Sequence, residues 1–232
     1  MKYQKTIIGS GFIAKNFFKL SKNLSKLNII LYAAGVSDSK TKSKHKLNKE
    51  YSRIKNYLKN FDCTKKFIYI STFTIFDPMR NKTLYVKNKI KIEKFIQKSG
   101  VNYLIIRLPE VAGRSKNKKT LLNFIYYNIK KNNKFILWKN TKRNIIDIDD
   151  AVKLLSIIIK KKFFKKDKIN LISKYFYSIE NIVKSLEKLL NKKALFRELN
   201  LKSIKWNDYS CYYIKNNSKK DTYLNKIIKK YY

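Results

Sequence analysis

Apolar runs and polar spacers alternate along this chain with two different periods. Residues 5–8 form a short apolar run. Gly9-Ser10-Gly11-Phe12-Ile13-Ala14 then turns into a helical pattern through Phe17, Phe18 and Leu20. Residues 28–32, 67–70 and 102–107 are continuous apolar runs, the signature of strands covered on both faces. Between them, residues 47–61 carry Tyr51, Ile54, Tyr57 and Leu58 at helical spacing, and residues 85–97 carry Ile90, Ile92, Phe95 and Ile96. Further on, the pattern predicts a helix over 119–131, a strand over 135–138 and a helix over 150–161. A strand over 169–172, helices over 178–190 and 221–230, and a short segment at 195–197 follow. Buried strands alternating with amphipathic helices predict an α/β fold, a doubly wound parallel sheet. We place a core at 1–165 and a small α/β portion, not an independent domain, at 166–232.

With 232 residues, 44% of them hydrophobic, the chain can bury a sizeable core. No run of about 18 apolar residues suggests a membrane span. The opening residues 1–5 lack the apolar core and cleavage site of a secretory leader, so none is expected. Cys63, Cys211 and His45 are too few and too scattered for a disulfide framework or a metal site, and no metal is expected. The net charge of +40 raises the question of a nucleic-acid partner. Only six of the 55 basic residues are arginine, however, and the lysines are spread over the whole chain. They accompany an excess of Asn, Ile, Tyr and Phe, residues that AT-rich codons specify. A dedicated nucleic-acid surface would cluster its charge and use arginine forks. We therefore expect a solvated basic surface and no specific nucleic-acid ligand.

Three stretches can carry chemistry. Tyr85 and Lys89 stand four apart in a helical pattern, which puts both side chains on one face. A nearby ammonium favours a phenolate, so such a tyrosine can act as acid and base near neutral pH. Spacing alone is weak in a chain with 17 tyrosines; Tyr51 and Lys55 share it. Ser71 and Thr72 close the apolar run at 67–70 and offer hydroxyls at a strand end. The strand, glycine turn and helix at 5–20 would let backbone N–H groups approach a pyrophosphate, or would be an ordinary tight turn.

Taken in order, these segments resemble the extended short-chain dehydrogenase/reductases, the NAD-dependent epimerase/dehydratase family, in a compact form. Gly9, Ser10, Gly11, Phe12 and Ile13 match its glycine motif. Ala33-Ala34-Gly35-Val36-Ser37 is similar to its cofactor-lining strand end, and residues 70–76 to its Ser/Thr motif. Tyr85 to Glu93 matches its Tyr-x-x-x-Lys-x-x-x-Glu helix. Arg107 to Gly113 and Arg143 to Asp150 resemble its later segments. The resemblance implies Thr72, Tyr85 and Lys89 as catalytic residues. It implies NAD or NADP held by Gly9 to Ile13, Ala33, Ala34, Gly35, Ser71, Lys89 and Leu108. It places Ser37, Glu110 and Arg143 on a nucleotide-linked sugar, with Asp150 capping or orienting the next helix. It further implies a cytoplasmic enzyme of polysaccharide precursor synthesis, with a homodimer possible through the Tyr85 helix.

Two departures stand out. Only about a dozen residues separate the first helix from Ala33, where the family has a further strand–helix–strand with an acid for the adenosine ribose. The sheet is thus expected to be shortened in its first half, and NAD and NADP both stay open. The interval from Thr72 to Tyr85 is also short. Phe73-Thr74 stands where dehydratases carry Asp-Glu, which leaves a reductase or an epimerase. The alternative is a non-catalytic Rossmann-like binding protein without full cofactor recognition.

Overall fold

The computed structural model describes residues 6–161, 166–200, 211–212 and 219–232. Lys5, Lys162, Lys165 and the expected border at 165 lie outside them. The chain divides into two compact units. The first takes residues 1–108, 151–171 and 209–212, and the second takes 109–150, 172–208 and 213–232. The chain therefore passes back and forth between units.

In the first unit, β1 (Ile7–Ile8) leads through α1 (Phe12–Phe17), a 3-10 turn (Phe18–Leu20) and α2 (Ser21–Lys26) to β2 (Ile29–Tyr32). Then come α3 (Lys44–Lys59), β3 (Lys66–Thr72), a 3-10 turn (Phe73–Phe76), α4 (Leu84–Lys98) and β4 (Asn102–Leu108). The remaining strands are β8 (Asp167–Leu171) and β11 (Cys211–Tyr212). All six strands are parallel, in the order β1-β2-β3-β4-β8-β11. Among the described residues β1 is an outer strand of this sheet. Ile30, Tyr32, Phe67, Tyr69, Tyr103 and Ile105 face Ile54 and Leu58 of α3 and Ile92 and Ile96 of α4 in one cluster. The alternate residues Ile29, Leu31, Ile68, Leu104 and Ile106 are equally buried, so both faces are covered. Ser43 and Thr83 cap α3 and α4 by accepting hydrogen bonds from Lys46 N and Val86 N.

The second unit contains β5 (Glu110–Ala112), α5 (Leu121–Lys130), β6 (Phe135–Lys139), β7 (Lys142–Asp147), β9 (Phe176–Ser178), α7 (Ile179–Leu190), β10 (Phe196–Asn200) and α8 (Lys220–Tyr231). Helix α6 (Ile148–Lys160) runs from this unit into the first. Strand β7 joins β5 in parallel and β9 antiparallel, and β6 pairs with β10 in parallel. Ile129, Ile145, Tyr177, Ile182 and Leu186 centre its core, which Tyr223, Leu224, Ile227 and Ile228 of α8 complete.

The end of β7 anchors α8. Tyr223 Oη accepts from Asp147 N at 3.1 Å and donates to Asp150 Oδ2 at 2.7 Å. Lys230 Nζ lies 2.8 Å from both Asp147 Oδ2 and Asp149 Oδ2, and Tyr231 Oη donates to Asp147 Oδ1 at 2.6 Å. Asp147 Oδ1 also accepts from Asp149 N at 2.9 Å at the start of α6. Asp150, expected to cap or orient that helix, holds the Tyr223 phenol. Replacing Tyr223 with Phe leaves the Asp147 N–H unanswered. It is expected to lower stability by about 1–3 kcal/mol, measured as a lower denaturant midpoint with unchanged slope.

Candidate active site

Parallel strands bring their carboxyl ends to one edge. Ile8 stands opposite Tyr32 and Tyr32 opposite Tyr69, while β3 runs on to pair Ser71 with Arg107 and Thr72 with Leu108. Gly9, Ala33 to Gly35, Thr72 and Leu108 thus end neighbouring strands of the first unit. Gly9 has φ of +135°, and a Cβ there would meet Ala33 O at 2.6 Å, so both backbone freedom and close packing demand glycine. Gly9, Ser10 and Gly11 are exposed, and nothing lies within 4 Å of where a Gly11 Cβ would stand. Phe12 and Ile13 are half-buried.

Helix α4 buries Tyr85, Val86, Asn88, Lys89, Ile92, Glu93 and Ile96. The four-residue step puts Tyr85, Lys89 and Glu93 in one row, and two polar networks meet that row. In the first, Lys89 Nζ donates to Glu50 Oε1 at 2.7 Å and to Tyr69 Oη at 3.2 Å, and stands 5.7 Å from the centre of the Tyr85 ring. Asn88 Nδ2 donates to Glu50 Oε2 at 3.1 Å. The side chains of Lys89 and Glu50 are 4% and 2% exposed, so this is a buried ion pair. Burial pulls the Lys89 ammonium below the ordinary lysine value. Tyr69, the Glu50 carboxylate and Tyr85 outweigh it and hold the group well above that value. What this charge adds to stability is therefore fully present below the ordinary lysine range and is lost only as pH climbs beyond it. Tyr69 is pushed up, first by burial.

In the second network Ser71 Oγ donates to Glu93 Oε1 at 2.6 Å. Arg107 grips the same carboxylate through Nε at 3.0 Å and Nη2 at 2.6 Å. Its guanidinium also lies 5.1 Å from the Phe76 ring centre. Ser71, expected on the cofactor, is thus tied to Glu93. Thr72 Oγ1 donates to Thr74 Oγ1 at 2.9 Å and accepts from Thr74 N at 3.2 Å, starting the 3-10 turn.

The structure brings Tyr85, Lys89 and Gly35 together: a Cβ on Gly35 would lie 2.5 Å from Lys89 Nζ and 2.8 Å from Glu50 Oε1. Ala33 and Ala34 are half-buried and Ser37 is exposed. Glu110 and Arg143 belong to the second unit, on the paired strands β5 and β7. Arg143 is buried, and its Nη1 donates to Lys142 O at 2.9 Å. Tyr51, the chance match to the Tyr-x-x-x-Lys spacing, packs edge-on against Phe95 and under the Lys91 ammonium. Sequence reasoning missed Glu50. Its signal was an acid within the apolar stripe Leu47, Ile54, Leu58 of a lysine-rich helix. Among the described residues no cluster of His, Cys, Asp or Glu could hold a metal ion, and no helix is long and apolar enough to cross a membrane.

Comparison with known proteins agrees with this architecture. The model of the NAD dependent epimerase/dehydratase family matches residues 19–171, and the chain belongs to that family. The match begins after the glycine turn. Among solved structures, RMD from Pseudomonas aeruginosa, complexed with NADPH, superposes with a TM-score of 0.68 at 12% identity, over 96% of both chains. MoeE5, in complex with UDP-glucose and NAD, gives 0.68 at 11% identity, over 96% of this chain and 97% of that one. UDP-glucuronic acid 4-epimerase from Bacillus cereus, with UDP-glucuronic acid and NAD, gives 0.60 at 18%, over 90% of this chain and 72% of that one. At such identities the likeness is one of fold. No curated protein matches the sequence.

Glu93 is the counter-ion of Arg107. Glu93→Ala should cost about 3–5 kcal/mol by stranding a largely buried guanidinium, and Ser71→Ala about 1 kcal/mol, both read from denaturant unfolding.

Proposed function

We propose that the chain is an NAD(P)-dependent oxidoreductase or epimerase that acts on a nucleotide-linked sugar. The observation that carries this reading is the buried row on α4, with the Lys89 ammonium beside the Tyr85 ring. The exposed Gly9-Ser10-Gly11 turn, open over Gly11, fits a dinucleotide's diphosphate. Gly9 to Ile13 would hold that diphosphate and Ala33 to Gly35 would line the cofactor. Leu108 and Lys89 would meet its nicotinamide half, with Ser71 behind them on Glu93. When bound, NAD or NADP supplies a hydride acceptor or donor.

Tyr85 would move a proton at the sugar hydroxyl or carbonyl oxygen. Lys89 would stabilise the phenolate. Thr72 would turn its hydroxyl from Thr74 to the same oxygen. Ser37, Glu110 and Arg143 would contact the sugar nucleotide, Arg143 through a fork suited to phosphate. Phe73-Thr74 disfavours dehydration, and NAD and NADP remain alternatives. Surface polysaccharide precursor synthesis in the cytoplasm is the setting in which such substrates are made. A homodimer through α4 is the assembly that the family resemblance implies.

A non-catalytic binding protein is the second reading. It draws on β1 being an outer strand among the described residues and on the carboxylate that already occupies Lys89. Tyr85→Phe separates the two. It is expected to reduce turnover of NAD(P)(H) with a panel of nucleotide-linked sugars by about 10²–10⁴-fold, while the cofactor-induced thermal shift persists. If the unaltered protein shows neither turnover nor a thermal shift with any of these cofactors, the binding-protein reading replaces the enzyme.

A further inference from the structure

A lysine ammonium that is almost wholly buried needs a nearby negative charge, or it gives up its proton. Lys89 has such a charge, and it comes from outside the row Tyr85, Lys89 and Glu93. Helix α3, capped by Ser43, carries its apolar stripe through Leu47, Ile54 and Leu58; Glu50 interrupts that stripe and is buried with it. Both carboxylate oxygens are engaged, Oε1 by Lys89 Nζ at 2.7 Å and Oε2 by Asn88 Nδ2 at 3.1 Å, so the carboxylate is held at two points. Gly35 covers the pair from the end of β2, where any Cβ would strike both Nζ and Oε1. Three elements of the first unit therefore converge on one ammonium.

We propose that Glu50 is a positioning residue for the reaction: as the buried counter-ion of Lys89, its carboxylate holds that ammonium charged and in place beside Tyr85. This rests on the enzymatic reading of Tyr85 and Lys89. Glu50 itself touches neither substrate nor cofactor; it acts through Lys89. The titratable groups that face the pair are Tyr69 on β3 and Tyr85 on α4, and Tyr32 on β2 feels the charges of both Glu50 and Lys89. Of these, Tyr69 lies nearest to the ammonium, at 3.2 Å, and burial keeps its phenol protonated. Without Glu50 no carboxylate would remain against Nζ, and only Tyr69 and Tyr85 would be left to oppose burial.

The test is kcat/KM against pH for the wild type and Glu50→Gln, with NAD(P)H and the sugar nucleotide that the wild type turns over. In the variant, Lys89 loses its proton at lower pH, so the high-pH limb should move down by more than about two pH units. Activity at pH 9 relative to pH 7 should fall about tenfold more than in the wild type. Superimposable profiles would overturn the proposal, because a purely structural role lowers activity at every pH alike. Thermal unfolding of Glu50→Gln, Lys89→Met and the double variant covers the case in which Glu50→Gln does not fold. The double variant, with neither charge, should fold and unfold at a higher temperature than Glu50→Gln alone, or fold where Glu50→Gln does not; a double variant no more stable than that single one counts against the pair. Should the wild type turn over none of the substrates, the enzymatic reading falls by itself, while the same unfolding comparison still decides whether Glu50 is the counter-ion of Lys89.

Discussion

An ammonium placed inside a protein has to be answered by a carboxylate, and the Lys89–Glu50 pair is where this chain meets that demand most severely. The chain has 55 basic residues against 15 acidic ones, so carboxylates are scarce. Yet Glu50 and Glu93 are both buried, one on Lys89 and one on Arg107, and Asp147 is buried against Lys230. Lys89 and Arg107 are matched with short contacts, while most of the lysines stay in water. A basic sequence and a well-paired interior are thus compatible: the net charge describes the solvated shell, and the ordered chemistry depends on a few acids.

The first of these pairs ties three successive pieces of the first unit together. Glu50 comes from α3, Lys89 and Asn88 from α4, and Gly35 from the loop after β2. The second pair joins α4 to the ends of β3 and β4 through Ser71 and Arg107. Helix α4 is held from both sides by ion pairs within its own row, with Ile92 and Ile96 packing into the core. Tyr85 belongs to that row and inherits its rigidity, which suits a group that must meet a reacting atom within hydrogen-bond reach.

What could be read from the sequence follows the strength of local signals. β2, β3 and β4 were legible because strands buried on both faces leave continuous apolar runs. The four-residue step from Tyr85 to Lys89 gave their shared face, and Gly9 showed the tight turn. β5, β7 and β9 were not foreseen: Glu110–Ala112 and Phe176–Ser178 are three residues long, and β7 opens on Lys142 and Arg143, whose charges mask a strand. Glu50 escaped notice because a charge on an apolar stripe reads as a break in it, and its partner lies 39 residues away. The interleaving of the two units was equally hidden, since it depends on which segments return to which core and not on any local pattern.

That interleaving sets an order for assembly during synthesis. β2, β3 and β4 need nothing beyond residue 108 to pair, whereas β8 adds to their sheet only after the whole of 109–166 has been made. The core of the second unit stays open longer still. Tyr223, Leu224, Ile227 and Ile228 are among its buried residues, and the grip of Lys230 and Tyr231 on Asp147 joins positions more than eighty residues apart. On the ribosome the first half of the larger sheet can therefore condense early. The apolar faces of α5 and α7 must wait for α8, and during that interval they are the surfaces a chaperone would find exposed.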